Sequence, residues 1–516
     1  MASRQEVENM LSLADQDSKD YEAELVRLRS QITHIEAQQV SLENHKRQLR
    51  SLISPLRRLP NETLARIFEF TCKENLLQEF PWHDVESAPL TKLSSPVITY
   101  LPTMAISAVC SRWRQVALSY PGLWSNLKVE ICMTSNQSDI DGFIATLDRH
   151  LEMSGNSPLN LDLNIQGKPL QARWGAEPLA LVHLTRHVHR WKKFKYMGEH
   201  TLTSYGIHFG LQYPKYPILA DLNLEARHDS IPSTDLNRFE YAPNLRALST
   251  DAFFRSAIPY HQLQWAELGI SSQKSMEDVL QKCPSLTSLE LTGIREIPEI
   301  PESPSTWRNI VSLVACEFTP ESVFRMVFSC FNFPFLHHLH IYQNPQCHFP
   351  PWPRKAFDSF ISKSACVITT FIIYNVALSD EDAIAALRIM PSLKDFKISD
   401  TELKSHSPIT AQLISSLCCV AENQPTGSIV HLVPKLRHIC LLFGGEIFDD
   451  LAFVRMVQSR WLPDSEYATM IGMNCLRSVV LKFSKREVEE EVYRPLQDLD
   501  RMGMMVVIAG TNGIKI

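Results

Sequence analysis

Apolar residues recur every seven positions along the first 53 residues. Val7, Ala14, Tyr21, Leu28, Ile35, Leu42 and Leu49 form one column, and every member is apolar. Leu11, Ser18, Leu25, Ile32, Gln39, Lys46 and Ile53 form the column four places on, and four of those seven are apolar. A seven-residue repeat held this long predicts a coiled coil over residues 1–53 rather than a helix laid on its own protein. No Gly, Pro, Trp or Cys interrupts it. Charge along it is uneven. Ala2 to Glu24 holds two basic and seven acidic residues, and Leu25 to Ile53 holds five basic and two acidic residues. The seam predicts a homodimer, and antiparallel copies would set acidic front against basic back.

The pattern changes at Ser54-Pro55, because proline removes an N–H and biases the residue before it away from helix. Residues 54–129 predict a small helical unit. Asn61 is placed to cap a helix and Glu62 to meet its positive end. Leu64, Ile67 and Phe68 share one face of that helix, which ends near Cys72. Residues 73–100, with Pro81, Pro89 and Pro96, predict a loop insertion. A second helix is predicted from Thr103 to Ser119, with Ile106, Val109, Cys110, Trp113 and Ala117 at spacings of three and four. Pro121-Gly122 stops it, and Leu123-Trp124 follow.

The run Ser54-Pro55-Leu56-Arg57-Arg58-Leu59-Pro60-Asn61-Glu62-Thr63-Leu64-Ala65-Arg66-Ile67-Phe68 resembles the first half of an F-box. The run Ile106 to Leu118, containing Val109-Cys110-Ser111-Arg112-Trp113, with Leu123-Trp124 after it, resembles the second half. The departure is the insertion between the halves, which is similar to that of many F-box proteins of mushroom-forming fungi. The resemblance implies docking on the adaptor subunit of a cullin–RING ubiquitin ligase. It implies an adaptor surface drawn from Leu59, Pro60, Leu64, Ile67, Phe68, Val109, Trp113, Leu123 and Trp124. A unit this small has more apolar side chains than its own core needs, which suits such a surface.

From Trp124 onward a string of apolar, two of any type, apolar, one of any type, apolar recurs. It occurs at Trp124, Leu127, Val129; Trp191, Phe194, Tyr196; Leu219, Leu222, Leu224; Leu286, Leu289, Leu291; and Ile310, Leu313, Ala315. It continues at Leu336, Leu339, Ile341; Ile368, Phe371, Ile373; Leu393, Phe396, Ile398; Leu436, Ile439, Leu441; and Leu476, Val479, Leu481. A weaker copy starts at Leu245. Proline stands two places before the string at Pro217, Pro243, Pro284, Pro334, Pro391 and Pro434. Helical stretches such as Ser275–Lys282 and Asp380–Met390 run into these prolines. A last helix, Arg486–Arg501, and strand, Met504–Ala509, close the series. Helix, break and strand in series looks like an irregular leucine-rich-repeat α/β solenoid over 130–516. Such an array would offer its strands as one concave, protein-binding surface. His337, His338, His340, Lys394, Asp395 and Lys397 are candidates for ligand contact there.

Composition narrows the function. The chain has 516 residues, 51 basic and 57 acidic, with 17 glycines and 31 prolines. A formal charge of -6 argues against nucleic-acid binding, and scarce glycine against phosphate cradles. GxGxxG, GxxxxGK[ST] and GxSxG are absent. Twelve scattered cysteines without a CxxC pair predict core hydrophobes of a reducing compartment. His183, His187 and His189 lack the Glu that a zincin places after its first His, so no metal is expected. No secretory leader or membrane span is expected either, which implies the cytosol or nucleus. The expectation is therefore a multi-domain α/β protein with a coiled-coil helix, an all-α F-box unit and a repeat solenoid. It would serve as the substrate-recognition subunit of an SCF-type ubiquitin ligase, binding the adaptor and through it a cullin, and an unidentified target. No catalysis or cofactor is expected. The rivals are a repeat scaffold outside any ligase and an unrecognised C-terminal enzyme.

Overall fold

The computed structural model describes residues 4–78, 101–132, 140–167, 179–205, 215–227, 231–250, 257–269, 273–292, 303–317, 323–346, 351–402, 407–419, 431–445 and 448–514. Most of the predicted insertion at 73–100 lies outside the described residues. The chain forms two compact units, residues 1–73 with 106–120, and residues 74–105 with 121–516.

The first unit opens with α1, Arg4–Leu52, an unbroken helix of 49 residues. The predicted stop follows at once, and Pro55–Arg58 forms a 3-10 turn. Helix α2, Asn61–Thr71, starts directly after Pro60 and turns Leu64, Ala65 and Phe68 inward. Asn61 makes no capping bond to its own helix; its side chain is engaged elsewhere, as described below. The second predicted helix is two helices, α3, Pro102–Val109, and α4, Ser111–Ser119. Cys110 is extended between them (φ -161°), and its Sγ accepts the Trp113 N–H at 3.4 Å. Arg114 Nε donates to the Ser107 carbonyl at 3.0 Å, tying α4 to the last turns of α3.

The second unit is built on one sheet of 16 strands. They are β1 Asn75–Gln78, β2 Asn126–Cys132, β3 Leu159–Gln166, β4 Trp191–Gly198, β5 Asp221–Ala226, β6 Ala247–Thr250, β7 Trp265–Gly269 and β8 Ser288–Thr292. After the two-residue β9, Ser305–Thr306, come β10 Ser312–Glu317, the two-residue β11 Phe331–Asn332, β12 His338–Gln343, β13 Thr370–Tyr374 and β14 Asp395–Ser399. The last are β15 His438–Phe443, β16 Ser478–Phe483, β17 Met505–Gly510 and β18 Gly513–Ile514. Strand order in the sheet follows chain order, with β9 and β11 pairing apart from it. Each neighbour is parallel until β18, which turns back against β17.

All ten copies of the apolar string lie in this sheet, and their residues are buried. The register keeps equivalent positions in line. Leu289, Leu313, Leu339, Phe371, Phe396, Ile439 and Val479 form one continuous inward row from β8 to β16. Each side chain so buried contributes about 1.5–3 kcal/mol. Helices between strands cover this face. Phe324 and Phe328, from the helix Val323–Cys330, pack on Trp352, and Phe328 also meets Phe357 and Phe360.

The sheet takes in residues on the N-terminal side of the boundary expected at 129/130. Strands β1 and β2 belong to the sheet, and Asn75 draws Leu123-Trp124 in with them. Asn75 Nδ2 donates to the carbonyls of Leu123 and Asn126 at 2.9 and 3.3 Å. Thr103 Oγ1 donates to the same Leu123 carbonyl at 3.0 Å. Among the described residues no helix is long and apolar enough to cross a membrane.

Candidate protein-docking surfaces

The helical unit owes its shape to a residue that sequence reading passed over. Arg112 lies on α4, and its guanidinium spans the turn leading into α2. It donates to the carbonyl of Arg57 at 2.8 Å and to that of Leu59, and to Asn61 Oδ1 at 2.9 and 3.1 Å. The planar fork of arginine suits several acceptors at once. Pro60 therefore stands on a turn pinned from both sides, by its own ring and by Arg112. Phe68 and Trp113 pack at 5.0 Å between ring centroids and hold α2 against α4.

Outside this core the unit leaves apolar side chains in solvent. Pro60 is exposed, Ile67 is 39% exposed and Val109 is 60% exposed, while Leu59 is half-buried. Leu56 and Phe70, neither of them expected, are exposed as well, Phe70 at 76%. The expected set thus divides. Leu64 and Phe68 are buried and serve the core, and Trp113 is half-buried against Phe68. Leu123 and Trp124 are buried in the sheet unit, where Trp124 packs on His150 at 5.2 Å. The missed signal for Phe70 was its offset. It lies two places from the inward Phe68, about 200° round a helix.

In the sheet unit the outward face changes character along the strands. Lys193 and Asp221 pair at 3.1 Å, and Lys195 and Asp162 at 3.4 Å, so the early strands carry neutralised charge. The middle strands carry Glu267 and Glu290 in adjacent register. Ser249 Oγ donates to Glu267 at 2.8 Å. Burial, and then the charge of Glu267, raise the pKa of Glu290. From β10 to β16 one polar row, Ser312, His338, Thr370, Asp395, His438 and Ser478, runs beside a more apolar one. Val314, His340, Ile372, Lys397, Cys440 and Val480 stand in one row, beside Tyr342 and Tyr374. Lys397 lies over the Tyr374 ring at 4.9 Å. A depression of about 200 Å³ opens here, lined by Thr370, Ile372, Asp395, Lys397, His438, Cys440, Ser478 and Val480 among others. Asp395 faces His438 at 3.9 Å.

Of the expected contact residues, His338, His340, Asp395 and Lys397 lie on these strands. His337 and Lys394 precede them; His337 Nδ1 bonds the Phe335 carbonyl at 2.6 Å. Burial lowers the pKa of His340, and neighbouring His338 and Lys397 lower it further.

Among the described residues no three His, Cys, Asp or Glu side chains are placed to hold a metal ion. His183 pairs with Asp148 at 2.6 Å, and His187 faces Arg190 at 3.4 Å. Burial pushes the thiols of Cys283 and Cys316 up to about 12, so both are protonated at neutral pH. The ten cysteines whose side chains are described form no disulfide.

No protein-family model matches the chain, and no curated protein matches it in sequence.

Proposed function

We propose that this chain is the substrate-recognition subunit of an SCF-type cullin–RING ubiquitin ligase. In this reading the helical unit is an F-box that docks on the adaptor. The sheet unit is a solenoid of leucine-rich-repeat type that holds a target protein. The chain makes and breaks no bonds itself; it raises the effective concentration of target beside the ligase's charged enzyme. A cytosolic or nuclear location goes with this role.

The observation that carries it is the small helical unit with its core closed and its apolar side chains still outside. Leu64, Phe68 and Trp113 account for the interior. Pro60, Ile67, Phe70 and Val109 remain exposed on and around a turn clamped by Arg112. Exposed apolar groups on a rigid support are what a partner can cover at small entropic cost. The apolar stretch of the sheet face, with Tyr342 and Tyr374, supplies aromatic anchors for the second partner.

The test is binding of purified adaptor to the full chain. Ile67→Asp and Phe70→Asp are each expected to weaken it at least about tenfold, or ~1.4 kcal/mol, with circular dichroism unchanged. Arg112→Ala is expected to weaken it too, because the turn loses its clamp. Failure of the wild-type chain to bind would remove the ligase reading and leave a repeat scaffold. So would wild-type affinity in both aspartate variants.

A further inference from the structure

Helix α1 is exposed along its length. From Glu6 to Arg50 every residue is exposed except Glu43, which is half-buried. Yet its seam is apolar: Leu11 is 60% exposed, Leu25 51%, Ile32 55% and Leu42 59%. On a straight helix a seven-residue seam drifts by about 20° per heptad, so over six repeats it winds by roughly 120°. Only a partner that wraps with the helix keeps such a seam covered.

We propose that α1 is covered by α1 of a second copy, lying antiparallel. Charge chooses the direction. The front, Ala2 to Glu24, has seven acidic residues against two basic, a net charge of -5. The back, Leu25 to Ile53, has five basic against two acidic, a net charge of +3. Parallel copies would set -5 on -5 and Lys46 on Lys46. Antiparallel copies oppose the signs. With their ends overlapped, Leu25 meets Leu28, Leu11 meets Leu42 and Ile32 meets Tyr21. The polar seam residues are also resolved, since Gln39 meets Ala14 and Lys46 meets Val7, beside Glu6 and Glu8. The helix is 49 residues long, ~73 Å at about 1.5 Å per residue. An antiparallel pair therefore sends its two Pro55 turns out at opposite ends of a rod. If the ligase reading holds, two adaptor-docking units are held about 70 Å apart. That spacing rests on the ligase reading; the pairing does not.

The test uses the full chain, with nitrogen-15 and unlabelled copies mixed and allowed to exchange. A carbodiimide then joins touching lysines and carboxylates, and mass spectrometry reads the mixed-isotope peptides. Links from Lys46 to Glu6 or Glu8 are expected, or to Asp15 or Asp17 if the register slips one heptad. They should vanish in Lys46→Arg while the dimer persists. The dimer should also dissociate more readily in salt, with Kd rising about fivefold or more between 0.05 and 0.5 M. Mixed-isotope links confined to Lys46–Glu43 and Lys19–Glu22 would mean parallel copies and overturn the proposal. A sedimentation mass other than two copies would overturn it as well. Adaptor plays no part in these readings, so they stand or fall apart from the ligase assignment.

Discussion

Arg460 is fully buried and, among the described residues, has no carboxylate partner; its guanidinium donates instead to the carbonyls of Leu417, Leu432 and Val433. Val433 lies in the left-handed region (φ 44°), costly for a β-branched residue, and the arginine holds it there. Arg460→Ala would orphan three buried acceptors, so a loss of roughly 3–5 kcal/mol is expected in urea unfolding. A loss under about 1 kcal/mol would mean that water replaces the guanidinium. His150 is buried, and its Nδ1 bonds the Thr146 carbonyl at 2.9 Å. Burial lowers its pKa below the ordinary histidine value. The unfolded chain then takes up the proton first, so His150 contributes stability above about pH 6.5 that is lost as pH falls through the folded value. Raised carboxyls such as Glu290 and Asp400 act in the opposite sense, so the variant isolates the histidine. Wild-type stability is expected to fall more steeply from pH 7.5 to 5.5 than that of His150→Gln. Equal slopes in the two proteins would remove this account. Neither residue stood out in the sequence, because burial of a single polar side chain depends on what folds over it.

The strands were legible where the string was intact, since inward positions every second residue are what a covered sheet face requires. Strand β1, in the stretch expected to be a loop, was missed, and so were β3 and β7, for different reasons. The position that would open the string before β3, three places before Leu161, is Pro158; its core residues Leu159, Leu161 and Leu163 simply alternate. Strand β7 carries Leu263, Ala266 and Leu268, a fitting string whose middle alanine gives little signal. Helix limits were close, with Glu490–Arg501 observed against Arg486–Arg501 expected. The break at Cys110 was invisible, because the spacing of Ile106, Val109 and Trp113 suits one helix and only the local caps divide it. Strand pairing also sets local stability. Strands β12 to β14 each have a parallel neighbour on both sides, whereas β1 has one and β18 pairs over two residues. Amide exchange is expected to be slowest in β12–β14 and fastest in β1 and β18, as neighbour interactions dominate in serial arrays. Uniform protection across the sheet would instead indicate a single cooperative block.

At the level of the molecule, the chain leaves the helical unit, contributes β1 to the sheet, returns through α3 and α4, and enters the sheet again at β2. Two separate runs of sequence thus build each unit. A boundary drawn along the sequence could not represent this, and Leu123 and Trp124 accordingly fall in the sheet unit. The ligase assignment, by contrast, rests on runs of residues that the chain carries on its face.

Periodicity alone determined the long helix, the break at Pro55 and most parallel strands, because each is a local rule repeated along the chain. Tertiary structure alone decided which apolar residues of the helical unit stay outside. It also decided that Arg112 clamps the Pro60 turn and that Leu123-Trp124 pack in the sheet unit. Those outcomes depend on contacts between residues about 50 positions apart, as between Arg112 and Leu59 or between Asn75 and Leu123. No periodic pattern encodes such distances, so packing had to settle them.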